Sequence, residues 1–542
     1  MLDLLPSGHD DDFCRRHLPP SAQWPVLLPA PRGRRYPERL NAAEALLDEH
    51  VRQGHGERIA LRGPGVCWTY AQLQRHVDAI VQVLRHDWAL PTGSRVLLRG
   101  SNHPMLAACW LAVVKAGCVA VTTMPLLRAR ELAVIANKAR VQAALVQDDL
   151  LAEWQAANAE LQTPATTLSY GPQGSLASAM ARHPGPCAAA DTAQDDVALI
   201  AFTSGTTGVP KGTLHFHRDL LLIADVLAEH LLAPTPEDVF IGTPPLAFTF
   251  GLGGLLIFPL RVGAAAVLVP QWDAESLLAG IAEHRASICF TAPTLYRKMA
   301  PLAAGADLSS LRQCVSSGEM LPADTRQQWL DATGLEMSEC LGATEMLHAF
   351  IACKPGTIRA GATGQVVPGY EARIVDGEGH DLPVGQVGRL AVRGPTGCRY
   401  LDDARQSDYV QGGWNLTGDS YLCDADGYFW YQSRSDDMIV SAGYNIAGPE
   451  VEDVLLTHPQ VAECGVVGAP DAERGQVVTA FVVLRQPLPE DQQAPLAAAL
   501  QDWVKARLAP YKYPRRVHFV PALPRTENAK LQRFVLRQWA AT

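Results

Sequence analysis

The 542-residue chain lacks any cysteine pair at metal-ligand or redox spacing: its twelve cysteines are scattered, with no C-x-x-C. A zinc ribbon, a catalytic dithiol and a disulfide framework are not expected, and a reducing, cytoplasmic compartment is. There is no long block of one charge sign, although the net charge is −10. Nucleic acid and anionic membrane are therefore not expected partners, and small anions must be held by local sites. No apolar run is unbroken over a membrane's thickness, because Leu106 to Met124 contains Lys115, and Gly251 to Val269 contains Arg261 and several glycines. Met1 to Asp12 carries four aspartates and no apolar segment, unlike a secretory leader. No internal repeat is found, and no proline- or serine-rich linker marks a domain junction.

What is present suits a large soluble globular protein. With 48% apolar and 19% charged residues, the chain can bury extensive cores in more than one domain. The densest signal is Ala201 to Gly212, Ala-Phe-Thr-Ser-Gly-Thr-Thr-Gly-Val-Pro-Lys-Gly. Thr203, Ser204, Thr206 and Thr207 supply hydroxyls, while Gly205 and Gly208 leave the backbone free to approach a ligand with its N–H groups. Such a loop suits phosphate, and Lys211, behind the stiffening Pro210, adds a cation. The order Lys211-Gly212 excludes a P-loop, since no hydroxyl follows the lysine to hold magnesium. An apolar run from Asp196 to Ile200 reads as a buried strand and Asp219 to Leu232 has helical spacing, so the loop is expected to join a strand to a helix.

Around this loop the pattern is one of alternation. Pro19 to Arg35 is proline-rich and expected to wrap the surface; Arg35 to Asp48 begins an amphipathic helix, and Thr69 is placed to cap another. Short apolar runs at Arg95–Arg99, Cys118–Thr122, Ala143–Val146, Val239–Thr243, Ala265–Val269, Ser287–Phe290 and Gln313–Ser316 are separated by helical stretches. That alternation predicts an α/β fold with parallel sheets covered by helices. Shorter strands at Glu371–Val375, Gly388–Arg393 and Tyr428–Tyr431 predict a small β region, and residues 437–542 have helix and strand signals enough for a separate α+β domain.

Phe202 to Gly212 resembles the signature loop of the acyl-adenylate-forming superfamily, which includes acyl-CoA and aryl-CoA synthetases, peptide-synthetase adenylation domains and luciferases. The resemblance runs from about Pro20 to the end, with its motifs in the family's order. It implies an N-terminal ATP- and acid-binding domain, 1–435, and a mobile C-terminal domain, 436–542. Leu341-Gly-Ala-Thr-Glu345 resembles Tyr-Gly-Ser-Thr-Glu, implying that Thr344 touches the α-phosphate and that Glu345 serves Mg2+, a hard cation that wants carboxylate and phosphate oxygens together. Leu341, between Cys340 and Gly342, replaces the aromatic residue that stacks on adenine, so stacking should be weaker. Ser316 to Leu321 resembles the loop on the other face of the base, with Ser317, Gly318 and Glu319 beside it.

Further along, Trp414-Asn-Leu-Thr-Gly-Asp419 implies that Asp419, in a glycine turn, holds the ribose hydroxyls; an Asx-type turn capping a hairpin is the competing reading. Ser433 to Ile439 resembles the hinge element, with Arg434 on the ribose and Asp436 as pivot, and Gly443 would let a pantetheine arm pass. Pro524-Arg-Thr-Glu-Asn-Ala-Lys530 resembles Pro-Lys-Thr-x-x-Gly-Lys, which makes Lys530 the catalytic lysine that neutralises charge between carboxylate and α-phosphate. Ala529 stands where that motif has glycine, a restriction if the position needs positive φ.

The acid pocket is implied to lie at Phe248, Thr249, Phe250 and Gly251 and at Leu347 and His348, the two phenylalanines forming a flat wall or simply packing a core. Thr249 stands where amino-acid-activating relatives place an aspartate, which favours an aromatic acid without an α-amine. Gly342 to His348 resembles benzoate- and aminobenzoate-CoA ligases, and Leu18-Pro-Pro with Gln23-Trp-Pro25 resembles the opening of 2-aminobenzoate-CoA ligases. His348 or Thr249 could accept a hydrogen bond from an ortho amino group; a histidine bonded to backbone is equally open. The reading is an ATP-dependent aryl-CoA ligase using ATP, Mg2+ and coenzyme A, with anthranilate preferred over benzoate, as monomer or homodimer. Loading of an acyl carrier protein, luciferase-like oxidation and nucleotide binding without catalysis remain alternatives.

Overall fold

In the computed structural model, residues 4–203, 210–318, 321–434, 439–441, 444–446, 448–471, 474–508, 511–526 and 529–541 are described. The chain packs as two units: Met1–Leu321 with Thr325–Ala372 and Val392–Asn415, and Pro322–Asp324 with Arg373–Ala391 and Leu416–Thr542.

The first unit is built on two sheets. One has the strand order Gln365–Val366, Ala349–Ala352, Met337–Gly342, Gln313–Ser316, Ile288–Thr291, Val239–Gly242, Ala265–Val267, Ile59–Gly63, Val66–Thr69. Its central strands, from Met337–Gly342 to Ile59–Gly63, are parallel, and antiparallel pairs finish both edges. The other runs Thr166–Tyr170, Ala143–Gln147, Arg95–Arg99, Val119–Thr123, Val197–Thr203, Lys211–Phe216, parallel except for the last pair. Arg95–Arg99 and Val119–Thr123 are buried along their whole length, as parallel strands with helices on both faces must be.

Helices begin where side chains can satisfy their first N–H groups. Thr69 caps Tyr70–Gln82 through a reciprocal box with Gln72. The first long helix starts at residue 42, not at Arg35, because Asn41 accepts from the Ala43 N–H at 3.1 Å and ends the extended segment there. The apolar tract at Leu106–Met124 is the buried helix Pro104–Lys115 followed by a strand, and Gly251–Val269 likewise folds as helix then strand. Among the described residues no helix is long and apolar enough to cross a membrane.

The second unit holds the sheet Tyr444–Ile446, Ile439–Ser441, Gly475–Leu484, Val461–Asp471, with Arg516–Phe519 pairing Gly475–Leu484. Helices Gly448–Leu456 and Glu490–Lys505 pack on a core of Val451, Leu455, Val466, Val478 and Leu500. It also holds the antiparallel pair formed by Phe429–Arg434 and the C-terminal part of Trp414–Cys423.

Candidate active site

The glycine-rich loop joins two antiparallel strands, Val197–Thr203 and Lys211–Phe216, with Thr203 opposite Lys211. The expected strand-to-helix connection is corrected: the helix His217–Ile223 follows the second strand. Gly212 to Phe216 is buried throughout, so its backbone must be paired, and the neighbouring strand supplies the partners. Ser204, Gly205, Thr206, Thr207 and Gly208 lie outside the described residues. Thr203 Oγ1 is buried and has no hydrogen-bond partner among the described residues.

A second hairpin carries the next motif. Met337–Gly342 returns as Ala349–Ala352, with Thr344, Glu345 and Met346 in a short helical turn at the tip. A Cβ at Gly342 would stand 2.8 Å from the His348 carbonyl carbon, so the tip closes only on glycine. Leu347 is buried yet has φ 69°, a conformation that a bulky residue rarely takes and that is held here by its N–H donating to the Thr344 carbonyl. Cys340 is buried and its thiol is pushed up to about 12 by burial; its carbonyl accepts from the Ser317 hydroxyl at 2.8 Å, tying the Ser316–Leu321 and Leu341–Glu345 motifs together. Gly318 has φ 89° and nothing within 4 Å of where a Cβ would be, and Leu341 is half-buried. Glu319 lies outside the described residues.

At the charged end, Tyr400 donates its hydroxyl to Glu345 Oε1 at 2.5 Å, and Lys211 Nζ stands 3.7 Å from the same oxygen. Lys211 lies over the rings of Tyr400 and Tyr409, 4.8 and 5.6 Å from their centroids. Sequence reasoning did not find Tyr400: no local pattern links it to Glu345, 55 residues earlier. Among the described residues no three His, Cys, Asp or Glu side chains gather to hold a metal. A lone buried carboxylate nevertheless fits Mg2+ that is bound mainly through nucleotide phosphates, as that ion commonly is.

The aromatic end is assembled from three elements. Phe248 is the N-cap of the helical segment that starts with Thr249 and Phe250, all three half-buried. A Cβ on Gly251 would overlap the Pro245 carbonyl oxygen, so this entry turn also requires glycine. The Phe250 ring lies 5.5 Å from that of Phe290 and 5.8 Å from His348, and Phe258 lies 4.8 Å from His348. Phe250 is thus part of an aromatic cluster with Phe258 and Phe290, which sequence reasoning did not assign to the pocket. A Cβ at Gly253 would be 2.7 Å from His348 Nε2, so the ring occupies the space that glycine leaves.

His348 is buried, and neither ring nitrogen has a hydrogen-bond partner of good geometry among the described residues. Burial lowers its pKa to about 4, opposed by a long hydrogen bond from one ring nitrogen to the Phe250 backbone, so the ring is neutral at pH 7.

In the second unit, Asp419 is buried inside the long strand Trp414–Cys423, paired with Arg434, and not in a turn. Gly418 takes φ 77° within that strand, which gives the local kink the sequence suggested without ending the pairing. Asp436 and Gly443 lie outside the described residues. Lys530 is exposed, in a loop closed by hydrogen bonds from the Thr526 N–H to the Lys530 carbonyl at 2.8 Å and from Arg525 to the Ala529 carbonyl at 2.6 Å. Ala529 has φ 61°, so the position does require the left-handed region.

The family described as AMP-binding enzyme matches residues 47–399, and the AMP-binding enzyme C-terminal domain matches 450–530. The benzoate–CoA ligase of Thauera aromatica is 33% identical, over 92% of this chain and 96% of that one. The crystal structure of the anthranilate CoA ligase AuaEII in complex with anthranoyl-AMP is 34% identical, with a TM-score of 0.87 over 93% of this chain and 98% of the other. A benzoate CoA ligase from Burkholderia xenovorans LB400 is 31% identical, with a TM-score of 0.83 over 92% and 100%.

Proposed function

The chain belongs to the AMP-binding enzyme family and is an aryl-CoA ligase with ATP and CoA as substrates; from that premise we propose that its acid is anthranilate. The observation that carries this choice is His348, neutral and buried among aromatic rings, with one ring nitrogen directed at the Phe250 backbone and the other left an acceptor without a donor among the described residues. A buried acceptor without a donor is unfavourable by about 1–3 kcal/mol, which an ortho amino group can recover and benzoate cannot. Benzoate remains the second reading, favoured by the likeness to the Thauera ligase.

In the proposed reaction the carboxylate attacks the α-phosphorus of ATP, the bond to pyrophosphate breaks, and the CoA thiol then displaces AMP from the acyl carbon. Residues 203–208 with Lys211 hold phosphate oxygens, Thr344 the α-phosphate, and Asp419 and Arg434 the ribose. Ser317, Gly318, Glu319, Cys340, Leu341 and Gly342 flank the adenine. Glu345 would hold Mg2+, which neutralises phosphate charge, and Lys530 stabilises the charge that develops at the α-phosphate. The C-terminal domain, from residue 436, pivots at Asp436 between the two half-reactions, and pantetheine passes Gly443. An acyl carrier protein is the rival thiol acceptor.

The test is pyrophosphate release from anthranilate, benzoate, salicylate, hydroxybenzoates and hexanoate, each with CoA or a holo-carrier protein. Anthranilate with CoA should give the highest kcat/KM, and His348→Phe should reduce that preference about tenfold. A wild-type preference for benzoate or a hydroxybenzoate would overturn the assignment, and a preference for carrier protein would replace the acceptor.

A further inference from the structure

We propose that Tyr400 is a positioning residue that holds Glu345 by its hydroxyl and Lys211 by its ring, keeping the two opposite charges side by side but out of contact. The inference rests on the reading that Lys211 and Glu345 serve the nucleotide.

Three observations converge on it. The Tyr400 hydroxyl already occupies Glu345 Oε1 at 2.5 Å, while Lys211 stops 3.7 Å from that oxygen, well beyond the roughly 2.8 Å of a closed ion pair. The ammonium rests instead on the faces of Tyr400 and Tyr409. Tyr400 is itself fixed from both sides: it bridges Thr213, Leu214 N–H donates to the Arg399 carbonyl and Leu401 N–H to the Gly212 carbonyl, each at 2.8 Å. Its own N–H donates to Gln406 Oε1 at 2.8 Å. Residues 399–401 are therefore held by a single antiparallel β-bridge beside Gly212–Leu214, directly after Lys211, and the phenol has little freedom to leave.

A lysine and a glutamate in contact would neutralise one another and offer less to a triphosphate and its cation. Tyr400 prevents that collapse, leaving Lys211 to turn from its aromatic seat to phosphate and Glu345 to face Mg2+. Tyr400→Phe keeps the ring and removes only the bond to Glu345; Tyr409→Leu trims the second ring.

The experiment is calorimetric binding of α,β-methylene-ATP to the full-length protein, with and without Mg2+, no turnover being involved. Tyr400→Phe should weaken binding about tenfold with Mg2+ and less without it, and Tyr409→Leu about threefold. Equal losses with and without Mg2+, or variants binding within about twofold of wild type, would overturn the role of Tyr400. If Tyr400→Phe does not fold, Tyr409→Leu decides by its own threefold criterion. Failure of the wild-type protein to bind the analogue would instead sink the nucleotide reading itself.

Discussion

At the charged end of the site, Glu345 accepts from Tyr400 and Lys211 lies on two aromatic faces; at the aromatic end, His348 is enclosed by Phe250 and Phe258 with one nitrogen left without a partner among the described residues. The charges are arranged before any substrate arrives, as suits a reaction whose phosphate chemistry is the same for every acid. The aromatic end leaves its polar demand to the ligand. A site rejects analogues most strongly when it has an unmet hydrogen bond of its own, so discrimination belongs there.

Removing charge at the first end should have the largest effect. Glu345→Gln keeps the shape and hydrogen-bonding capacity, and ATP–pyrophosphate exchange should fall about 100-fold or more; exchange within tenfold of wild type would show that the carboxylate is not needed. At the other end, Gly253→Ala pushes a Cβ into the His348 ring. The KM for anthranilate should rise about tenfold while that for ATP stays put, a split that steady-state kinetics resolves. Equal changes in both constants would erase the proposed division of labour.

A third prediction concerns pH. Burial lowers the pKa of His348 and His215 to about 4 and that of His217 to about 3. The unfolded chain therefore binds these protons first, and stability present above pH 6.5 should be lost as pH falls towards 4. Each residue contributes on the order of 1–3 kcal/mol. Urea midpoints at pH 7.5, 6 and 5 measure the decline, and bound anthranilate should steepen it by selecting the neutral His348. Smallest of all, Ala529→Gly removes a left-handed alanine and should relieve about 1 kcal/mol of local strain. Amide exchange around Thr526 should slow slightly, with adenylation changed less than about threefold.

Buried parallel strands were the most legible part of the chain, because their apolar runs are nearly continuous; Arg95–Arg99 and Gln313–Ser316 match their expected bounds. Lys211–Phe216 was not legible. Its two large apolar residues alternate with the buried Thr213 and His215, so the run looks too polar for an inner strand, and only pairing with Val197–Thr203 reveals it. Asp419 was read as a turn residue from Thr-Gly-Asp, a pattern that a kinked strand shares. In the site, motif residues such as Glu345 and His348 stood out by their neighbours in sequence. Tyr400 did not, since what makes it matter is a hydroxyl facing a residue far along the chain.

The β-bridge at Tyr400 has a consequence for anyone recombining this enzyme with a relative. A crossover placed between residues 346 and 399 would import the foreign counterpart of Tyr400 with its own Gln406-like support, or lose both, while retaining the native Glu345. Junctions drawn after residue 406 would transmit the pair intact.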